Sequence, residues 1–241
     1  MLYYLKDALY TFKKHLPAIM LLSVPGLLSL FIIYLLPAPT YIALGSAFLR
    51  TGSIGNLTSA DSALIILFYL VSLFIISDVV VNINIVIKEE KTLTKIKESI
   101  IEGFGRYAIW VFLIYSVLIL FSLLVQLITI DLPYHSFLYP LFTLFASVLL
   151  FFVPPAIVID DLSPIRAISE SVKMLSRKLH LLVLWIGTAF IALSAVELML
   201  FAILPSSISP IVILLVNSLL LFPYLIVLQS HLYMAKYPLS P

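Results

Sequence analysis

The sequence predicts an all-α integral membrane protein. It has six transmembrane helices and three cytoplasmic amphipathic helices, arranged as a pseudo-threefold parallel repeat of amphipathic helix plus transmembrane hairpin. Three observations predict this class. The 241 residues are 63% hydrophobic and 11% charged, whereas a soluble domain is nearer half apolar and a quarter charged. Six continuous apolar runs reach the length, about 20 residues, that a helix needs to cross the hydrocarbon core. A short amphipathic segment recurs three times without gaps, beginning at Leu2, Leu93 and Ile165, and each copy runs into an apolar stretch.

The elements follow in order. Leu2, Leu5 and Leu9 are spaced as one helix face, and the segment closes on His15 before a first span at 16–36 that carries Pro25 and Gly26. The longest loop, 37–62, contains Asn56-Leu57-Thr58, a glycosylation sequon that makes Asn56 a candidate modification site. The second span, 63–87, ends in Glu89 and Glu90. The second amphipathic copy, from Leu93, extends its stripe to Phe104 and leads into the third span, 107–128. The fourth, 137–159, carries Pro154 and Pro155 and ends in Asp160 and Asp161. Ser163 followed by Pro164 is a helix-start signal for the third copy. Spans at 179–204 and 211–233 complete the chain, the last with Pro223. Each intramembrane proline frees a backbone carbonyl and permits a kink. The runs are continuously apolar rather than alternating, which excludes a strand barrel.

Orientation follows from the basic residues. Lys6, Lys13, Lys14, Lys88, Lys91, Lys95, Lys97, Arg106, Arg166, Lys173, Arg177, Lys178 and Lys236 fall on one side, and only Arg50 on the other. The positive-inside rule places both termini, and all three amphipathic segments, on the cytoplasmic face of the cell membrane. Such helices either lie in the interface with cations near lipid phosphates or pack as plain cytoplasmic helices on the bundle. The first reading makes Lys95, Lys97, Lys173 and Arg177 candidate headgroup contacts.

The repeat extends beyond the segment. Residues 83–100 align with 155–172 at a constant offset of 72, with Ile85/Ile157, Val86/Val158, Glu98/Glu170 and Ser99/Ser171 among the identities. The chain then reads as one membrane domain, 1–241, with units of approximately 1–90, 91–162 and 163–241. In all three, Asp7, Glu98 and Glu170 correspond, and His15, Arg106 and Lys178 close the copy. The regular acid suggests a shared structural role, pairing with a neighbouring cation.

The run Val153-Pro154-Pro155-Ala156-Ile157-Val158-Ile159-Asp160-Asp161, then Pro164-Ile165-Arg166-Ala167-Ile168 and Ser171, resembles a pattern in a broad group of six-span prokaryotic membrane proteins. The group includes the membrane domain attached to some glycerophosphodiester phosphodiesterases. The resemblance covers the layout of nearly the whole chain but is specific in about 20 residues. The catalytic barrel of those enzymes is a separate domain with no counterpart here, so the resemblance implies a fold and not an activity.

Polar residues at membrane depth are the remaining candidates, because charge there is costly and faces protein or water. Asp78 and Asn82 share a face of the second span, while Asn84 points elsewhere. Glu197 and Asn217 stand at similar depth in the last hairpin and could meet. These four form a candidate intramembrane polar site; interhelical hydrogen bonding is the competing reading for each. There is no cysteine, the histidines His15, His135, His180 and His231 lack metal-ligand spacing, and neither a phosphate loop nor a nucleophile elbow is present. The expectation is a non-enzymatic protein without metal or cofactor, a transport or permeation module for a small solute or ion. The alternative is a structural or lipid-interacting protein whose interfacial helices bind anionic headgroups. Membrane lipids are the partners expected, with self-association allowed and nucleic acid not.

Overall fold

The computed structural model describes residues 2–34, 40–43, 48–51, 59–92, 104–129, 131–132, 134–206 and 208–237. Asn56 and the second amphipathic segment from Leu93, with Lys95 and Lys97, lie outside the described residues. The first amphipathic segment forms α1, Leu2–Lys14, and the apolar run after it forms α2, Leu16–Tyr34. In the long loop, where an all-α reading places no strand, β1 (Thr40–Ala43) pairs antiparallel with β2 (Phe48–Thr51), Thr40 opposite Thr51. Helix α3, Ser59–Thr92, is a single uninterrupted rod.

A five-residue π-turn, Phe104–Ala108, leads into α4, Ile109–Thr129. The fourth apolar run is not one helix. It divides into α5 (His135–Leu149) and α6 (Val153–Ile159), because Pro154 and Pro155 have no N–H to donate and their rings crowd the carbonyls one turn back. The third amphipathic copy and the fifth span, expected as separate helices, are continuous in α7, Pro164–Ile203, with one non-helical residue at Lys178 (φ −135°, ψ 43°). The sixth run comprises α8 (Ser209–Val216), a π-turn at Asn217–Leu221 and α9 (Phe222–Met234). The π-turn lies just before Pro223, where the wider turn accommodates the ring and the missing donor.

Five of these runs are long and apolar enough to cross a membrane: Ile66–Glu90, Gly105–Thr129, Phe137–Ile159, Pro164–Ile203 and Ser209–Met234. This is the build of a multi-pass, membrane-embedded helical protein. Leu16–Ser29, in α2, is a shorter apolar helix. The runs differ in burial. In α3, α5–α6 and α8–α9 the apolar windows are 39%, 44% and 39% buried, against 22% and 17% for the runs of α4 and α7. The former three are therefore central and the latter two peripheral.

The core is concentrated where the three central runs approach the basic residues. Residues 79–87 of α3, 152–158 leading through α6, and 225–228 and 230–233 of α9 are all buried. Phe152 packs edge-on against Phe151, with centroids 4.7 Å apart, and lies 5.9 Å from the Tyr233 ring. Small residues let α2 and α3 approach. A Cβ on Gly26 would meet Val79 Cγ2 at 3.4 Å, and Ser72 Oγ donates to the Ser29 carbonyl at 2.8 Å. Close backbone approach through small residues is how helices gain contact where lipid removes the hydrophobic drive.

The amphipathic copies pack on a different face from the one their shared stripe suggests. In α1 the buried positions are Ala8, Thr11 and Phe12, followed by Ile19 of α2. In α7 they are Ala167, Ser171, Met174, Leu175, Leu181, Leu182 and Ala189. Ala8, Thr11, Phe12 and Ile19 align with Ser171, Met174, Leu175 and Leu182 at a constant offset. The stripe residues Leu9 and Val172 remain 42% and 38% exposed, and Ile165 is 82% exposed. Among the described residues of that stripe, Leu5 and Ile168 pack against the core.

Candidate functional site

The densest polar network joins the central runs at the basic end of the bundle. Its first members satisfy backbone that Pro154 and Pro155 set free. Ser171 Oγ donates to the Leu149 carbonyl at 2.7 Å and accepts from the Phe152 N–H at 3.0 Å. Gln229 Nε2 donates to the Phe151 carbonyl, and Lys88 Nζ to the Val158 carbonyl at 2.8 Å. Side chains of other helices thus meet the Leu149 and Phe151 carbonyls and the Phe152 N–H around the break, the Val153 N–H meets the Leu150 carbonyl, and Lys88 serves the last turn of α6, as buried backbone requires.

The acidic turn then divides its two carboxylates. Asp160, at the end of α6, accepts from the hydroxyls of Tyr233 and Tyr237 and from Lys236 Nζ. Asp160 and Lys236 are both largely buried, and Glu170 stands 3.8 Å from Lys236. Asp161 has φ 57°, a left-handed conformation that Asp tolerates better than most residues. It engages a different pair, Arg106 Nη2 at 3.0 Å and the Tyr107 hydroxyl at 2.9 Å.

Equivalent contacts close the other ends. Lys14 Nζ meets Glu90 Oε1 at 2.9 Å, with His15 Nε2 3.7 Å from Glu90 Oε2. Lys178 Nζ donates to the Ala235 carbonyl at 2.6 Å. Further in, Ser230 Oγ donates to Asn84 Oδ1 at 2.6 Å, and His231 Nε2 lies 3.2 Å from Thr11 Oγ1. Glu89 is buried too, and among the described residues its Oε2 has no hydrogen-bond partner.

Three groups outside the apolar runs are electrostatically displaced, and the hydrogen bond with Asp7 raises the first, the Tyr3 phenol. The hydrogen bond from Lys14 to Glu90, and the carboxylate's charge, raise the lysine above its usual range. Partial burial first, and then the hydrogen bond to Asp160, raise the Tyr237 phenol. The protonated phenol therefore contributes stability that is fully present below the ordinary tyrosine range, about pH 10. The contribution is lost only as pH rises through the elevated value. Tyrosinate absorbance during alkaline titration should include a late-ionising phenol that disappears in Tyr237→Phe; an unchanged curve would contradict this.

The sequence-derived polar candidates do not form one site. Asp78 is half-buried and Asn82 buried on α3, joined by an Asn82 Nδ2 to Asp78 Oδ2 hydrogen bond of 2.9 Å. Asn84 faces away, donating to the Val80 carbonyl at 2.7 Å. Glu197 is exposed on α7, while Asn217 is half-buried in the π-turn with its Oδ1 unpartnered. No hydrogen bond joins these two among the described residues. The azimuth of Glu197 is one reason no such bond is seen. The buried line of α7 runs through Leu182 and Ala189 towards Val196, and Glu197 is rotated by about 100° from it. The regular acids share no partner either: Asp7 takes the Tyr3 phenol, Glu170 stands near Lys236, and Glu98 lies outside the described residues.

Sequence reasoning missed Lys88, Gln229, Tyr233 and Tyr237 as members of the network. The one available signal for the last two was the Tyr-x-x-Lys-Tyr run at 233–237, a cluster of aromatic donors with a cation next to the expected end of a span. Among the described residues, no group of three or more acidic, histidine or cysteine side chains is placed to hold a metal. No family model, curated protein or solved structure matches the chain.

Proposed function

We propose that the protein is a non-enzymatic, six-span membrane module of three parallel units, with its basic end in the cytoplasm, and that its interfacial helices engage anionic lipid headgroups. The observation that carries the lipid reading is the outward face of the first turns of α7. Ile165, Val172 and Leu179, spaced by seven, are exposed there, and Arg166, Lys173, Arg177 and His180 are exposed beside them. Helix α1 repeats the design with exposed Tyr3, Leu9 and Tyr10 beside Lys6, Lys13 and Lys14. An apolar stripe set between cations suits the headgroup boundary, where each basic residue near an anionic surface is worth about 1 kcal/mol.

Three features support the repeat. The chain departs from the helix at His15 and Lys178, which occupy one repeat position. The buried faces of α1 and α7 coincide in alignment. The residue closing each copy reaches the far end of its own hairpin: His15 with Glu90, Arg106 with Asp161, Lys178 with the Ala235 carbonyl. Helix α2 would be the sixth span, and the likeness to the phosphodiesterase membrane domain would then extend to the Pro-Pro turn and its Ser171 clasp. Permeation is the second reading. It has one specific observation in its favour, the Asp78–Asn82 pair; among the described residues no hydrogen bond links Glu197 or Asn217 to that pair or to each other.

The test is lipid retention. Protein reconstituted with mixed phosphatidylglycerol and phosphatidylcholine should retain the anionic lipid preferentially by native mass spectrometry. Neutralising Arg166, Lys173 and Arg177 together to glutamine should lower that preference by up to about two orders of magnitude at low salt. Retention that ignores both salt and the triple substitution would sink the proposal.

A further inference from the structure

Asp78 and Asn82 lie one turn apart on α3, at the depth of the apolar run Ile66–Glu90. The single bond between them, Asn82 Nδ2 to Asp78 Oδ2, leaves two oxygens over. Asp78 Oδ1 and Asn82 Oδ1 are both buried, and among the described residues neither has a hydrogen-bond partner; Asn82 as a whole is only 6% exposed. With Asp78 ionised, both leftover atoms are acceptors, and an acceptor buried without a donor carries its full desolvation cost. A single proton on Asp78 Oδ1 answers both. It removes the charge, and it creates an O–H donor whose nearest complement in chemistry is the amide oxygen one turn on. A carboxylic acid and a primary amide are matched in this way: acid O–H to amide C=O, amide N–H to acid C=O.

We propose that Asp78 and Asn82 form a proton-binding site inside the bundle, closed as an acid–amide pair when occupied and opened when the proton leaves. This goes beyond the lipid reading and does not depend on it. The surroundings favour a proton over a metal ion. Among the described residues no ion pair reaches Asp78, and one carboxylate with one amide offers too few oxygens for a divalent cation. Of the elements packed on α3, α6 contains no titratable side chain and α2 has one, Tyr34, its last residue. The π-turn at 104–108 contributes Arg106 and Tyr107, both held by Asp161. Helix α4 contributes Tyr115, and α9 contributes Tyr224, His231 and Tyr233, the last three engaged with the Phe12 ring, Thr11 and Asp160 respectively.

Infrared spectroscopy of the full chain in lipid nanodiscs at neutral pH tests this. The expected result is a protonated-carboxyl C=O band that shifts in deuterium oxide and on labelling with carboxyl-¹³C aspartate. It should vanish in Asp78→Asn, which keeps a neutral donor at the position, and move in frequency in Asn82→Leu. The labelled wild type needs no substitution and separates Asp78 from buried Glu89. Absence of an aspartate-labelled acid band at neutral pH would overturn the proposal, as would a band that persists in Asp78→Asn. A band seen only when sodium is removed would assign the site to a monovalent cation and overturn it equally.

Discussion

Replacing Asp160 by alanine is expected to destabilise the fold by about 3–5 kcal/mol, the range for removing one partner of a buried ion pair, whereas Asp161→Ala should cost no more than about 1 kcal/mol. The two residues are adjacent and identical, so the contrast isolates environment. Asp160 is the common acceptor for two phenols and an ammonium, and its loss leaves the buried Tyr233 hydroxyl and a largely buried Lys236 without it. Asp161 and Arg106 are 45% and 63% exposed, and water replaces either partner. Equilibrium unfolding in mixed micelles measures both. Pairing Asp160→Ala with Lys236→Met should recover part of the loss, because the stranded cation is removed along with its partner. Equal costs for the two aspartates, or no recovery in the double variant, would contradict the assignment of Asp160 as the central node.

Nothing in the one-dimensional pattern separates those aspartates. The turn itself was legible, because the apolar run stops at two aspartates and Ser163-Pro164 then signals a new helix start. Which carboxylate turns inward depends on the left-handed backbone at Asp161 and on the end of a helix more than 70 residues away in sequence. Five of the six expected spans were legible for a simpler reason: length and apolarity are requirements of the bilayer, not of any particular packing. The packed faces were not. In water the apolar stripe of an amphipathic helix finds the core, but in lipid an apolar residue gains little by turning inward. Small and hydrogen-bonding residues decide the contact instead. Thus Ala8 and Ser171 are buried while Leu9 and Val172 face outward. The same reasoning explains Glu197 and Asn217. Their depth could be counted along the chain, but azimuth depends on how α7 rotates against α8 and on the π-turn that Pro223 provokes. Ser171 was visible as a conspicuous repeat position, although its task, clasping the backbone on both sides of the break, depends on a turn that only the folded chain displays.

That clasp sets the second large effect. Phe152→Ala should cost about 3–5 kcal/mol, the range for truncating a fully buried aromatic. The ring has no exposed surface, and it packs against Phe151 and Tyr233 between the two halves of the broken run. Lipid cannot fill the space, so dispersion contacts are lost outright. Phe190→Ala is the control: that side chain is 71% exposed on a peripheral run, where lipid tails replace it, and its effect should stay within about 0.5 kcal/mol. Ser171→Ala should fall between them, at about 1–3 kcal/mol, for stranding the Leu149 carbonyl and the Phe152 N–H. Because Ser171 holds the residue whose ring is being removed, the double variant should lose less than the sum of the singles. Additive costs, or a Phe190→Ala loss as large as that of Phe152→Ala, would mean that stability is spread evenly along the spans. The ordering predicted here places it in the central runs at the basic end, where the helix breaks, the side-chain clasps and the acidic turn meet.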